Sequence, residues 1–371
     1  MPTDLPCLIV AASERSADMF YATRFFVPDA FVFLRHRDKT IAMLSDLEID
    51  RARRTAAVDE IVAYSVIADR LPQKSRAPFA DVVAEFLRTR KIKRALVPGD
   101  FPLGLAQSLA KAGVKLVPRD GLFWREREFK NEDELRKLRR ALAITECGMA
   151  RAMEVLRASI IDGKKLRWSQ RVLTSEILRA EIESTILRAG GVPANTIVAG
   201  GGQACDPHER GHGPLRAHEL IIIDIFPRDA NSGYYGDLTR TVVRGRASEA
   251  QRQLWTTVQA GQRLALKAMK PRVSGRKVHE AIKKLFADSG YPTEQRDGRW
   301  IGFFHGTGHG LGLDIHEEPR FAKTHFKPGQ VLTVEPGIYW PGIGGARLED
   351  VVTITGSGMR KLSRFPQTLE L

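Results

Sequence analysis

Residues 220–225 read Leu-Ile-Ile-Ile-Asp-Ile, a run suited to a buried strand except for its one carboxylate. A charge in such a run is costly unless it is paired or bound to a cation. Thirteen residues on stands Asp237, at the mouth of Leu-Thr-Arg-Thr-Val-Val, and between the two lies Asp-Ala-Asn-Ser-Gly, a strong turn signal. A hairpin folded about that turn sets Asp224 and Asp237 opposite each other within a residue of register, where cross-strand neighbours lie about 5 Å apart. Like charges so placed repel, so a proton or a cation belongs between them.

The layout recurs near the C-terminus. Residues 331–334 form an apolar strand ending at Glu335, and Glu349 opens onto Val351, Val352 and Ile354. A hairpin centred near Gly342 brings Glu335 and Glu349 side by side. One such carboxylate is ordinary; two hairpins, each pairing carboxylates at apolar strand ends, imply a shared role.

Residues 303–319, Phe-Phe-His-Gly-Thr-Gly-His-Gly-Leu-Gly-Leu-Asp-Ile-His-Glu-Glu-Pro, hold three of the nine histidines. Glycines at 306, 308, 310 and 312 argue against a helix, since each costs about 1 kcal/mol relative to alanine. In an extended chain His305, Thr307 and His309 share a face and look into one cleft, and the glycines let backbone approach a ligand. Four carboxylates with the imidazole of His309 suit two divalent cations, manganese first, with cobalt, iron or zinc as alternatives. Two metals bridged by carboxylates at roughly 3.5–4 Å form a hydrolytic site.

At 371 residues the chain is long enough for two domains, and 43% hydrophobic with 27% charged residues is a globular composition. No apolar run approaches the eighteen or so residues that span a bilayer, so no membrane partner is expected. Residues 1–13 lack a basic stretch before the short apolar run at 7–12, which argues against a secretory signal and for the cytoplasm. Three scattered cysteines fit neither a disulfide framework nor a thiolate zinc site. The net charge of +14 raises nucleic acid as a partner. The basic residues are nevertheless spread along the chain without aromatic interleaving, which counts against that reading.

Strand patterns at 5–12, 30–34, 41–44, 95–97 and 114–117 and helical patterns at 79–91 and 103–112 predict an α/β domain over 1–125, with no nucleotide fingerprint. Asn131 to Glu134 has capping-box spacing and opens a helix expected to reach Gly163. Helical patterns at 169–188, 249–269 and 276–287 interrupt short strands, so 126–371 reads as an α+β domain.

The segments 224–241, 305–317, 333–337 and 346–350 resemble, in order, the motifs of the pita-bread metallopeptidases, most nearly prolidases and Xaa-Pro aminopeptidases. The first 125 residues resemble the creatinase/prolidase N-terminal domain, including Tyr21-Ala-Thr-Arg-Phe, where the family often has glycine in place of Arg24. The resemblance implies a dinuclear-metal exopeptidase that hydrolyses the Xaa-Pro bond at a peptide N-terminus or in a dipeptide, working as a homodimer. It implies that Asp224 binds one metal, that Asp237 and Glu349 bridge both, and that His309 and Glu335 complete the second, with Glu335 also the general base. His316 would hydrogen-bond the scissile peptide and His305 would line the substrate pocket. His208 would be the further substrate-side histidine, with His212 close by as its alternative. Arg347 would support the site on its substrate side, and Thr239 would hydrogen-bond a metal ligand. The interval from Asp224 to Asp237 is two residues longer than in many members, which predicts a longer turn around Asp229 and the same ligands. Rival readings are a metal-free amidinohydrolase-like relative and an inactive binding module with a basic surface. Whether dipeptides or longer peptides are cut depends on what closes the far end of the cleft.

Overall fold

The computed structural model describes residues 5–371, and the chain divides into two compact units, Met1–Arg125 and Glu126–Leu371. The first four residues of the 1–13 segment, expected to carry no secretory signal, lie outside the described residues.

In the first unit six strands form one sheet in the order Glu60–Ala63, Lys39–Leu44, Phe31–His36, Cys7–Ala11, Arg94–Pro98, Lys115–Arg119. Period-two alternation divides its side chains between two cores. Leu8, Val10, Val32 and Leu34 pack on the helix Phe79–Thr89, while Cys7, Ile9, Phe31 and Phe33 pack with Met19, Phe123 and Trp124. The helices Ala17–Thr23 and Ile49–Thr55 and the strand Glu60–Ala63 had no clear periodicity to announce them. Ala17–Thr23 ends at Arg24 in the left-handed region, φ 51°. That conformation costs a non-glycine residue about 1 kcal/mol, which accounts for the fitness of glycine at this position.

The second unit opens with the helix Glu132–Ala158, and both hydrogen bonds of the Asn131–Glu134 capping box are formed. This helix ends five residues before Gly163. Ser159 is extended with its hydroxyl on the Leu156 carbonyl, and Ile160 lies 70% exposed in the strand Ile160–Asp162. Gly163, at φ 57°, turns a hairpin there instead of closing the helix. The next helix is Ser175–Arg188, capped by Thr174. It starts later than its apolar spacing suggested because Ser169 and Gln170 both have positive φ in a tight turn, which no right-handed helix admits. Helices Glu249–Ala268 and Gly275–Asp288 match their patterns.

Two antiparallel sheets lie between these helices: Ile197–Gly200, Leu220–Ile225 and Leu238–Val243 form one, and Val331–Val334, Asp350–Ile354 and Met359–Lys361 the other. A ribbon of Gly337–Trp340 and Gly344–Arg347 continues the second. Ile221, Ile223 and Val242 pack against Met149, Leu178 and Ile182, and Leu332, Val334 and Val352 against Leu254, Val258 and Ile282. Strand alternation therefore turns residues 224, 237, 335 and 349 to the inner faces. Those faces are stitched together: Glu349 N–H donates to the Thr239 carbonyl (3.1 Å), and the Thr241 hydroxyl donates to the Arg347 carbonyl (2.8 Å).

Candidate metal centre

In the first hairpin Thr239, not Asp237, stands directly across from Asp224. Asp237 lies two residues away on the same face, so the carboxylates are diagonal neighbours and the expected register is off by two. The long turn accounts for the offset: Gly233 N–H reaches the Asp229 carbonyl (2.9 Å) and Asp229 N–H the Tyr234 carbonyl (2.8 Å). The Asp229 carboxylate stays in that turn, accepting from the Ser232 hydroxyl at 2.6 Å and lying 3.3 Å from Arg140. In the second hairpin Val334 pairs with Asp350 and Gly337 with Arg347, so Glu335 and Glu349 face each other between the two ladders.

The histidine-rich stretch runs extended beside Val331–Val334. Thr333 N–H donates to the His309 carbonyl (2.9 Å) and Glu335 N–H to the Thr307 carbonyl (2.8 Å). A Cβ on Gly308 would lie 2.0 Å from the Thr333 carbonyl oxygen, so only glycine permits this approach. Thr307 does not look into the cleft: it is fully buried, and its hydroxyl lies 2.9 Å from Nδ1 of His279.

These strands bring the five expected ligands together. One ligand atom each from Asp237, His309 and Glu349 lies within 4.8 Å of the others. His309 Nε2 is 3.2 Å from Glu335 Oε1 and 3.7 Å from Asp237 Oδ2. Asp224, Asp237 and Glu349 are all buried. Burial, reinforced by neighbouring carboxylates, holds the Asp237 and Glu349 carboxyls well above the ordinary range. Burial alone would depress His309, but its contacts with Glu335 and Asp237 raise it to about 9. Glu335, against its own burial, is drawn down to about 2 by His309.

A second layer aims these groups. The Thr239 hydroxyl donates to Glu349 Oε2 (2.8 Å), as expected of a residue supporting a ligand, and the Thr333 hydroxyl lies 3.2 Å from Glu335 Oε1. Arg347 spends its guanidinium on protein groups, Asp224 Oδ2 at 2.7 Å, the Tyr339 oxygen at 2.9 Å and the Pro207 carbonyl at 3.2 Å, which is a supporting position more than a substrate-facing one. His305 Nδ1 lies 2.8 Å from the Gly306 carbonyl, which can only accept, so Nδ1 carries the proton. Burial lowers this ring to about 4, leaving it neutral, so Nε2 accepts from the Tyr339 hydroxyl at 2.9 Å. With both nitrogens engaged, His305 can line a pocket as a wall but has no free donor for a peptide. Tyr339 was missed in the sequence, although counting by twos from Glu335 puts it on the same face.

His316 is exposed, its ring 4.3 Å edge-on from that of His309, and burial together with His309 lowers it to about 4. His208 follows Pro207, whose carbonyl accepts from Arg347 Nη1 at 3.2 Å, and so stands beside the supporting layer of the centre. His212 instead lies 3.7 Å from Glu209, its N–H on Gln203. The structure thus draws His208 toward the site and leaves His212 aside.

The donor set fits divalent metal. Asp224 Oδ1 is buried without a hydrogen-bond partner, an expense that a cation would relieve. His309 Nδ1 lies 3.1 Å from the Gly310 carbonyl and keeps its proton there, so a metal replacing the other proton would meet an Nε2 lone pair turned toward the carboxylates.

Carboxylate-bearing strands held between two helix pairs, with an oxygen-rich centre on their inner faces, define the metallopeptidases of the pita-bread fold. The sequence profile of metallopeptidase family M24 matches residues 136–356, more than half of the chain, and the chain belongs to that family. Family membership brings with it a need for divalent metal ions. A Xaa-Pro dipeptidase of Pyrococcus horikoshii is 30% identical over 293 residues, covering 75% of each chain. The fold is shared with a solved Xaa-Pro dipeptidase from Bacillus anthracis (TM-score 0.82, 24% identity, 99% of this chain and 95% of that one). It is shared equally with an X-Pro aminopeptidase from Thermotoga maritima (TM-score 0.82, 22% identity, 98% and 97%).

Proposed function

We propose that this chain is an exopeptidase that hydrolyses the Xaa-Pro bond, in Xaa-Pro dipeptides or at the N-terminus of longer peptides. The observation that carries the reading is the convergence of Asp224, Asp237, His309, Glu335 and Glu349 from three separate segments onto one buried, polar centre. Dipeptidase and aminopeptidase relatives share the fold equally and leave peptide length to experiment. The amidinohydrolase-like and inactive-module readings are disfavoured, because neither calls for five intact donors with an unpartnered buried oxygen among them.

In this reading Asp224, Asp237, His309, Glu335 and Glu349 would together hold two divalent metal ions, manganese first among them. Bound there, the metals supply Lewis acidity and make water a competent nucleophile at neutral pH. The chain's own groups do the rest. Glu335 is ionised across the neutral range and takes a proton from the attacking water. His316, neutral at pH 7 and free of protein hydrogen bonds among the described residues, presents a ring nitrogen to the scissile peptide, with His208 on the same side. His305, stacked edge-on against Phe303 at 5.0 Å, forms an apolar wall suited to a proline ring. Arg347 keeps Asp224 aimed, and Thr239 keeps Glu349.

The reading includes a cytoplasmic homodimer, supported by the resemblance and by three unpaired cysteines of the kind a reducing compartment keeps. Among the described residues no helix is long and apolar enough to cross a membrane. The test is alanine release from Ala-Pro and from Ala-Pro-Ala-Ala by manganese-loaded protein, with Ala-Ala as control. Cleavage of Ala-Ala at the rate of Ala-Pro would overturn the proline specificity, and the ratio of the other two rates sets the peptide length.

A further inference from the structure

Three charged residues outside the metal centre are almost fully buried together. Glu317 is 4% exposed, Arg127 3% and Lys130 6%. Glu317 Oε2 lies 2.6 Å from Arg127 Nη2, Glu317 Oε1 is held by Lys130 Nζ, and Arg127 Nη2 also reaches Asp314 Oδ2 at 2.7 Å. The two cations hold the Glu317 carboxyl below its ordinary value in spite of burial. A buried ionic cluster is poor value as stabilisation, because desolvating the charges consumes most of what their attraction returns. What it supplies is directional: two donors of fixed position leave the carboxylate one place to be.

That place bears on His316. Gly310 and Glu317 exchange both backbone hydrogen bonds, 3.1 and 3.0 Å, and so close the loop between them at its base. Glu317 Oε2 also accepts from Asp314 N–H at 3.3 Å, inside the same loop. A Cβ on Gly312 would lie 2.2 Å from Glu317 Oε1, so the loop wraps the carboxylate closely. His316, next in the chain and exposed, has no hydrogen bond of its own among the described residues, and its position against His309 is set by its backbone.

We propose that the Arg127–Glu317–Lys130 cluster is the positioning element for His316: by anchoring the loop at Glu317 it aims the imidazole over the metal centre, and it acts on turnover through that ring and not through the metal ligands. The proposal rests on the exopeptidase reading for its kinetic arm only. Two variants of the full chain test it. Glu317→Gln removes the charge but leaves buried Lys130 without a carboxylate and buried Arg127 with only the exposed Asp314. The triple change Arg127→Met, Lys130→Met, Glu317→Leu leaves no buried cation uncompensated, and so keeps the fold should the single variant fail to fold.

In manganese-loaded protein acting on Ala-Pro, kcat is expected to fall about 10- to 100-fold, the scale of a misplaced catalytic group. KM should change less than about threefold and metal content should match the unaltered chain. In a His316→Ala background the same cluster changes should lower kcat no further, since two changes acting through one ring do not multiply. Multiplying effects, or an unchanged kcat in the triple variant, would overturn the proposal. A readout independent of activity is the proton–proton contact between the His309 and His316 rings, followed by NMR in metal-free protein with labelled histidine. It is expected in the unaltered chain and lost in the triple variant; its retention there would also overturn the proposal, whatever the substrate proves to be.

Discussion

Arg240 offers the most quantitative test of how the centre is held. It is 1% exposed and lies at the seam of the two sheets. Its Nε donates to the Pro366 carbonyl (2.9 Å), Nη1 to the carbonyls of Thr239 (2.9 Å) and Glu349 (2.5 Å), and Nη2 to the Phe365 carbonyl (2.5 Å) and to Asp350 Oδ1 (3.0 Å). Replacing it with lysine keeps a positive charge beside Asp350 but leaves at most three donors for five acceptors. At least two buried acceptors then lose their partners, at about 1–3 kcal/mol each, or roughly 2–6 kcal/mol together. For a unit of this size, each kcal/mol moves the thermal midpoint by about 2–4 °C, so Arg240→Lys should lower it by about 4–24 °C. The assay is calorimetry or circular dichroism on metal-loaded protein, with Lys361→Met as a comparison, because Lys361 holds Asp350 from a half-exposed position and should cost about 1 kcal/mol or less. A loss below about 2 °C for Arg240→Lys would refute the hydrogen-bond reasoning.

His309→Ala should lower metal occupancy, whereas His316→Ala should keep metal and lose rate, as read by metal analysis beside kcat; equal loss of metal in both would contradict the division of roles. Metal-free protein should be most stable near the ordinary carboxylate values, 3.8 to 4.5, and lose stability as pH rises above them. Asp237, Glu349 and His309 are raised in the fold, so their contribution is lost as pH climbs through those raised values, whereas depressed Glu335 loses its contribution as pH falls below 4.5. Thermal midpoints across pH, with and without manganese, check this, and added metal should rescue the alkaline side. Gly308→Ala should disturb the approach of the histidine strand to Thr333 and cost about 1–3 kcal/mol or more, measurable as a lower urea midpoint.

The carboxylate hairpins were legible because a charge inside an apolar strand has few physical excuses, and strand alternation then fixes which face it takes. Their register was half legible. The pairing of Glu335 with Glu349 follows from symmetry about the turn, whereas that of Asp224 depends on the hydrogen bonds of a long turn that composition does not encode. Helix ends at Ala158 and Ser175 were misjudged where an apolar period ran on into hairpins turned by Gly163 and by Ser169–Gln170. The supporting layer was mostly invisible. Lys130 and Glu317 were given no role in sequence, and only the backbone pairing of Gly310 with Glu317 brings that carboxylate inside.

The central claim is that five residues form a metal centre that cleaves Xaa-Pro bonds. Its most direct test is proline release from Ala-Pro as manganese is titrated into metal-stripped protein. The rate should rise from background and level off at two ions per chain, with Asp237→Asn showing no such rise. Full rate in excess chelator, or no cleavage of either Ala-Pro or Ala-Pro-Ala-Ala at any manganese concentration by folded protein, would contradict it.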